Sequence, residues 1–203
     1  MKMLKGLYAA AGIAAAAIAM PAIAATPIVS GGKLAGATGV QIGGNRYDVA
    51  FVDGSCASVF GGCTTSNFAF TTLSSATNAS NALLAQVFGN GPAGAFDSRP
   101  NLIAGCGSSL VCNILTPYAQ GHGIVLAGDA INTFTTSLDF STPAAIGANT
   151  STATLGGYVY ARFTPSVTTA VPEPGTWAMM FAGFGLMGVV LRYRRRSTRF
   201  SAV

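Results

Sequence analysis

The sequence predicts a mainly β fold: a β-sandwich or jelly-roll-like domain with one short helix. Three observations predict this fold. Apolar and polar residues alternate with a period of two in several short segments, glycine-rich turn sequences separate these segments, and one segment alone has its apolar residues at helical spacing. The 203 residues include 26 glycines, and only 8% are charged. Short strands separated by regular turns are typical of sandwiches and jelly rolls.

Five segments carry the predicted strands. Residues 47–52 place Tyr47, Val49 and Phe51 on one face, and the turn pair Asp53-Gly54 closes the segment. The other four are residues 67–73, with Phe68 and Phe70 on one face; 123–127, a short buried run; 132–140, with Phe134, Leu138 and Phe140 inward; and 158–163. We expect the aromatic residues of these strands to form the core.

One segment, residues 80–88, has its apolar side chains at helical spacing. We expect a short amphipathic helix there, lying on the sheet. Asn78 or Ser80 can cap its first turn, and Gly89 can end it.

Charge is concentrated at the two ends of the chain. The formal net charge is +5, but seven of the eleven Lys and Arg residues lie within residues 1–5 or 192–199. The residues between hold four basic and six acidic side chains, so their net charge is −2. A nucleic-acid-binding surface needs clustered Lys and Arg to displace counterions from phosphates. We therefore expect no nucleic-acid partner.

The N-terminal residues 1–25 have the three parts of a secretory signal peptide. Lys2 and Lys5 form a basic start, residues 7–20 are apolar, and Ala22-Ile23-Ala24 provides the small residues of a cleavage site. This layout predicts passage through an export translocon and cleavage by signal peptidase.

The C-terminal residues combine an apolar run with a basic end. Residues 177–191 are uncharged and apolar, and they predict a single transmembrane helix. This helix is shorter than the length normally needed to cross a hydrocarbon layer of ~30 Å. A stop-transfer cluster follows, which would keep this end cytoplasmic and the body across the inner membrane: Arg192, Arg194, Arg195 and Arg196.

The order of these C-terminal features resembles the PEP-CTERM sorting signal. Pro172-Glu173-Pro174 precedes Trp177-Ala178, the apolar run and the arginines, an order similar to the PEPxxWA subclass. The resemblance is confined to residues 171–196. It implies recognition by an exosortase of a Gram-negative bacterium, cleavage near the tripeptide, and delivery of the body to the cell surface or extracellular matrix.

The chain therefore divides into four predicted parts. Residues 1–25 are the signal peptide, 26–163 the β-rich extracytoplasmic domain, 164–171 a linker of small and proline residues, and 172–203 the sorting signal.

The domain contains four cysteines, for which an exported location favours disulfide bonds. Three connectivities are possible, and the two local pairs are the simplest. Neither local spacing fits a structural zinc site. The cysteines are Cys56, Cys63, Cys106 and Cys112.

The sequence predicts no catalytic, cofactor-binding or metal-binding residues, and hence no enzyme. The aspartates are scattered over turns and outward strand positions. A hydrolase would need His122, the single histidine, oriented by Asp129 or Asp139. A carbohydrate-binding module would need an aromatic platform, for which Tyr158 and Tyr160 are the candidates. We expect instead a structural or adhesive role in the exopolysaccharide or biofilm matrix, because the nearly uncharged body lacks the repulsion that keeps proteins apart.

Overall fold

A computed structural model of the chain describes residues 24–108, 110–167 and 174–197. The chain divides into two compact units, Met1–Ser166 and Val167–Val203. The predicted signal peptide, including the candidate cleavage residue Ala22, lies outside the described residues up to position 23. Ala24 is exposed, Ala25 is packed into the core, and the first strand follows at once.

The first unit is mainly β, which confirms the predicted class. Its strands are β1 (Thr26–Ser30), β2 (Lys33–Ile42), β3 (Asn45–Val52), β4 (Asn90–Gly91), β5 (Gly94–Ala95), β6 (Val111–Gly121), β7 (Ile124–Thr133), β8 (Phe140–Gly147) and β9 (Tyr158–Pro165). Two helices lie between β3 and β4: α1 (Cys56–Phe60) and α2 (Leu73–Gln86).

Seven strands form one sheet in the order β1-β2-β3-β9-β6-β7-β8. Strands β1 to β3 and β6 to β8 are two antiparallel meanders. The last strand, β9, lies between them, antiparallel to β3 and parallel to β6. A sandwich or jelly roll has two sheets packed face to face. Among the described residues, seven strands belong to one hydrogen-bonded sheet with α2 packed on one face and α1 on the other, and β4 and β5 form a separate two-stranded sheet.

Alternation along β9 shows how the sheet divides two cores. Val159, Ala161 and Phe163 face the larger core, which α2 covers. Tyr160 faces the opposite core, which includes residues of α1. Its side chain is fully buried there. The period-two pattern of the sequence is therefore correct for this strand, but Tyr160 on the second face is buried as well, between the exposed Tyr158 and Arg162.

Helix α2 begins seven residues earlier than predicted. Thr72 is its N-cap and forms a capping box with Ser75, so neither Asn78 nor Ser80 caps the helix. The helix ends at Gln86, and Val87 instead of Gly89 follows as its C-cap. The missed turns, residues 73–79, bury only the small side chains Ala76 and Ala79, which carry little hydrophobic signal.

Gly128 of β7 lets α2 approach the sheet closely. A Cβ atom at this position would lie 2.8 Å from the backbone C and O atoms of Ala76 and 3.0 Å from Ser80 Oγ. Gly128→Ala should therefore lower the free energy of unfolding by about 1–3 kcal/mol, since overpacking forces the helix outward. Urea unfolding followed by circular dichroism measures this loss. Gly121→Ala, whose Cβ would meet nothing within 4 Å, is the matched control; equal stability of the two variants would contradict the argument.

The strand predicted at 67–73 is wrong. Residues Thr65–Asn67 form a short 3₁₀ turn, and the chain then runs into α2. Phe68 and Phe70 are both buried, but they belong to opposite cores, because this segment passes around the sheet instead of pairing within it.

The strand predicted at 132–140 is also wrong. Strand β7 ends at Thr133, a 3₁₀ turn occupies Thr136–Leu138, and β8 begins at Phe140. Hydrogen bonds from the backbone N–H and hydroxyl of Thr133 to Asp139 Oδ1, 2.7 and 3.0 Å long, close the connection. The three side chains predicted to point inward are 53–60% exposed, because the alternating pattern extends across a loop: Phe134, Leu138 and Phe140.

Candidate functional site

The second unit contains helix α3 (Pro174–Ser197). Pro174 is its first residue, where a proline is favoured because its missing N–H has no partner in the first turn of a helix. Trp177 stacks on Phe181 with ring centroids 6.5 Å apart. The described large apolar side chains of the helix are exposed and form a hydrophobic surface: Trp177, Met179, Met180, Phe181, Phe184, Leu186 and Met187.

Several predicted tail residues can be located only in part. Pro172 and Glu173 lie outside the described residues. Ala178 is exposed on α3, as is Arg192. The backbone of Arg194, Arg195 and Arg196 forms part of the last turns of α3. Among the residues that the structure describes, no helix combines the length and apolar character needed to cross a membrane. The transmembrane helix predicted at 177–191 is therefore not confirmed.

The tail carries the decisive order of features: a proline-bearing triplet, an aromatic residue, an apolar helix and a basic end. Residues 170–196 match the PEP-CTERM protein-sorting motif. The predicted resemblance is thus confirmed, and it is confined to the C-terminal segment. A PEP-CTERM motif indicates an exported protein that an exosortase sorts to the cell surface. No curated protein and no solved structure gives a significant match to the chain.

Outside the PEP-CTERM tail, the structure contains both local disulfide bonds. Cys56 pairs with Cys63, which joins α1 to the loop after it, and Cys106 pairs with Cys112, which joins the start of β6 to the preceding loop. Each bond closes a small loop and adds roughly 2–3 kcal/mol by limiting the unfolded chain.

The single histidine lies in a tight turn. His122 and Gly123 are the two loop residues of the β6–β7 hairpin, and both have positive φ, 53° and 76°. This is the geometry of a type I′ turn, whose backbone twist fits a hairpin. Asp139 binds Thr133 at the opposite end of β7, roughly 30 Å along the ten-residue strand. The structure therefore does not bring His122 and Asp139 together.

The predicted tyrosine platform is wrong for one of its two members. Tyr160 is 0% exposed, and its ring packs edge-on against Phe60 with centroids 5.5 Å apart. Tyr158, two residues earlier, is exposed. A sugar ring cannot stack on both side chains, because the inner one is covered by α1.

Asp129, and the pair formed by Asp97 and Asp139, depart from the scattered, solvated arrangement predicted from sequence. Asp129 of β7 is only 3% exposed, and burial raises the pKa of its carboxyl to about 7, although a hydrogen bond with the Ile114 backbone lowers it in part. Its Oδ1 atom has no hydrogen-bond partner among the described residues. Burial raises the pKa of the Asp97 carboxyl as well. A hydrogen bond with the Asp139 carboxyl and the negative charge of Asp139 raise it further. Among the described residues, no group of three His, Cys, Asp or Glu side chains could hold a metal ion.

A cavity of about 440 Å³ opens on the face of β9 that carries Tyr160. Phe60 of α1 and Asn67 of the following loop line one side. Arg162 and Thr164 of β9 line the other. We call this space the Arg162 cavity. No sequence pattern predicts this cavity, because its two sides lie about 100 residues apart in the chain.

Proposed function

We propose that this chain is a structural or adhesive component of the extracellular polysaccharide matrix and is not an enzyme. Export and exosortase sorting follow from the PEP-CTERM motif. The proposal adds the destination in the matrix, the mechanical role, removal of residues 1–25 by signal peptidase after translocation, and a brief stay of the apolar tail at the inner membrane before cleavage.

An exposed apolar surface supports the adhesive role. Leu110 lies beside the loop that follows β7, and its carbonyl accepts a hydrogen bond from the Phe134 amide. Four apolar side chains in this region are each more than half exposed: Leu110, Phe134, Leu138 and Phe140. A protein that stays dispersed in water normally limits such groups. The domain also has few charges to oppose association, so this surface favours contact with a polymer or with another protein.

The order of the tail carries the sorting part of the proposal. The two prolines of the triplet have fixed φ and lack backbone N–H groups, which disfavours regular structure before the helix and leaves a segment that an enzyme can grip. The exposed apolar surface of α3 would hold that segment at a lipid surface, where a membrane-embedded protease acts.

Intact mass of the protein recovered from its native host tests the proposal. We expect a chain that has lost residues up to about Ala24 or Ala25 and the segment after the triplet, is four hydrogens lighter than the reduced form, and is found in the matrix fraction. A full-length tail on protein that is free in the periplasm would contradict the proposal.

A further inference from the structure

The Arg162 cavity has preorganised walls. The Cys56–Cys63 disulfide ties α1 to the next loop. Asn67 Nδ2 donates a hydrogen bond to the Phe60 carbonyl, 3.0 Å away. The Phe60 ring packs edge-on against Phe68 and Tyr160, with centroids 5.3 and 5.5 Å away. A ligand in this cavity would therefore meet a wall that is already ordered, which lowers the entropic cost of binding.

Arg162 is a cation without a carboxylate partner among the described residues. It is exposed on the face of β9 that also carries Tyr160, and its cross-strand neighbour on β3 is Ala50. The nearest carboxylate in the strand register, Asp48, already accepts hydrogen bonds from the Gly39 amide and the Ser166 hydroxyl. The guanidinium is thus free to bind an anion from outside.

The chemistry of the cavity selects the class of ligand. Guanidinium groups bind planar carboxylates through two parallel hydrogen bonds. The Thr164 hydroxyl can bind a ligand hydroxyl, and Phe60 offers an apolar surface beside it. The volume lies in the range of small-molecule sites, roughly 300–1,000 Å³. A carboxylate next to several hydroxyls on a compact ring is the chemistry of an acidic sugar.

We propose that the Arg162 cavity binds the carboxylated sugar units of an acidic polysaccharide. This proposal rests on the proposed function only for the choice of a polysaccharide as the source of the carboxylate. The negative domain supplies no long-range attraction to such a polymer, so recognition depends on the contacts inside the cavity and not on a general basic surface.

Binding of oligogalacturonate to the full chain, purified in mild detergent with its disulfides intact, tests the proposal by calorimetry. We expect binding to oligogalacturonate and none to an uncharged glucose oligomer of equal length. Arg162→Gln should weaken binding about tenfold to a hundredfold, because it removes hydrogen bonds to a charged group. Arg162→Lys should weaken it less, since the charge remains while the planar fork is lost.

Arg46→Gln is the matched control, because Arg46 lies on the same face of the sheet, on β3, but does not line the cavity. This variant should bind like the wild type. Equal losses in both arginine variants, or no binding by the wild type, would overturn the proposal. Binding of a peptide with a free C-terminal carboxylate, but not of oligogalacturonate, would also overturn it by assigning the cavity to a protein partner. Because this assay needs no exosortase, its failure and a failure of tail processing in the host are separate results.

Discussion

Replacing Pro172 and Pro174 together by alanine should leave the C-terminal tail uncut in the native host. Alanine restores both backbone N–H groups and favours helix, so the N-terminal end of α3 can extend through the triplet. An enzyme that cleaves an extended segment then meets a helix. We expect most of the protein to keep its tail and to stay in the membrane fraction, as measured by intact mass and by fractionation of the cells.

Pro165→Ala is the control for this experiment. Pro165 is the last residue of β9 and precedes the matched segment, so its loss should leave processing unchanged. A doubly substituted chain that is trimmed and exported as efficiently as the wild type would show that the triplet is not the feature that the enzyme recognises.

Asp129→Asn should stabilise the protein above neutral pH and remove much of its pH dependence between pH 4 and 7. Burial raises the pKa of Asp129 from 3.8 to about 7. In the unfolded chain this carboxyl ionises near pH 4, whereas in the folded protein it holds its proton to about pH 7. The folded state thus binds more protons in this window, so the wild type loses stability as pH rises through it and reaches a plateau above it.

The size of the effect follows from the difference between the two pKa values. It corresponds to an order of 4 kcal/mol at pH 8, or less where the site relaxes. An asparagine keeps the shape of the neutral acid and can still bond to the Ile114 backbone, so the variant and the wild type should have similar stability at pH 4. Urea unfolding at pH 4, 6 and 8 measures this. Parallel pH profiles for the two proteins would contradict a neutral buried carboxyl.

The sequence predicted local features well wherever local contacts decide them. The period of two in β3 and β9 follows from the pleat of a strand, which puts residues i and i+2 on one face whatever else the chain does. The same pattern misled the analysis at Phe134, Leu138 and Phe140, because alternation in a loop has no sheet beneath it. Likewise, α2 was found only in its leucine-rich half, since its alanine-rich turns bury too little apolar area to stand out.

Strands β1, β2, β4, β5 and β6 have no counterpart among the predicted strands, and β8 overlaps one of them only at Phe140. Strand β6 contains Pro117, which argues against a central strand. The structure tolerates it because β9 pairs only with Asn113–Leu115 of β6, so no neighbour on that side needs a hydrogen bond from position 117. Strand β2 has no clear alternation, since its residues Ala37, Val40 and Ile42 are buried and glycines interrupt the pattern.

The sorting tail was determined by the sequence itself, because the PEP-CTERM motif is an order of residues along one short segment of the chain. The roles of Tyr160, Asp129 and Arg162 were decided only by the tertiary structure. Because β9 lies between the two meanders, α1 covers Tyr160. Packing on the same face of the sheet buries the carboxyl of Asp129. Arg162 lies across the cavity from Phe60, a residue about 100 positions away in the chain. Periodicity shows which side chains share a face, but only the packing of distant segments determines whether that face meets solvent, another side chain or a cavity.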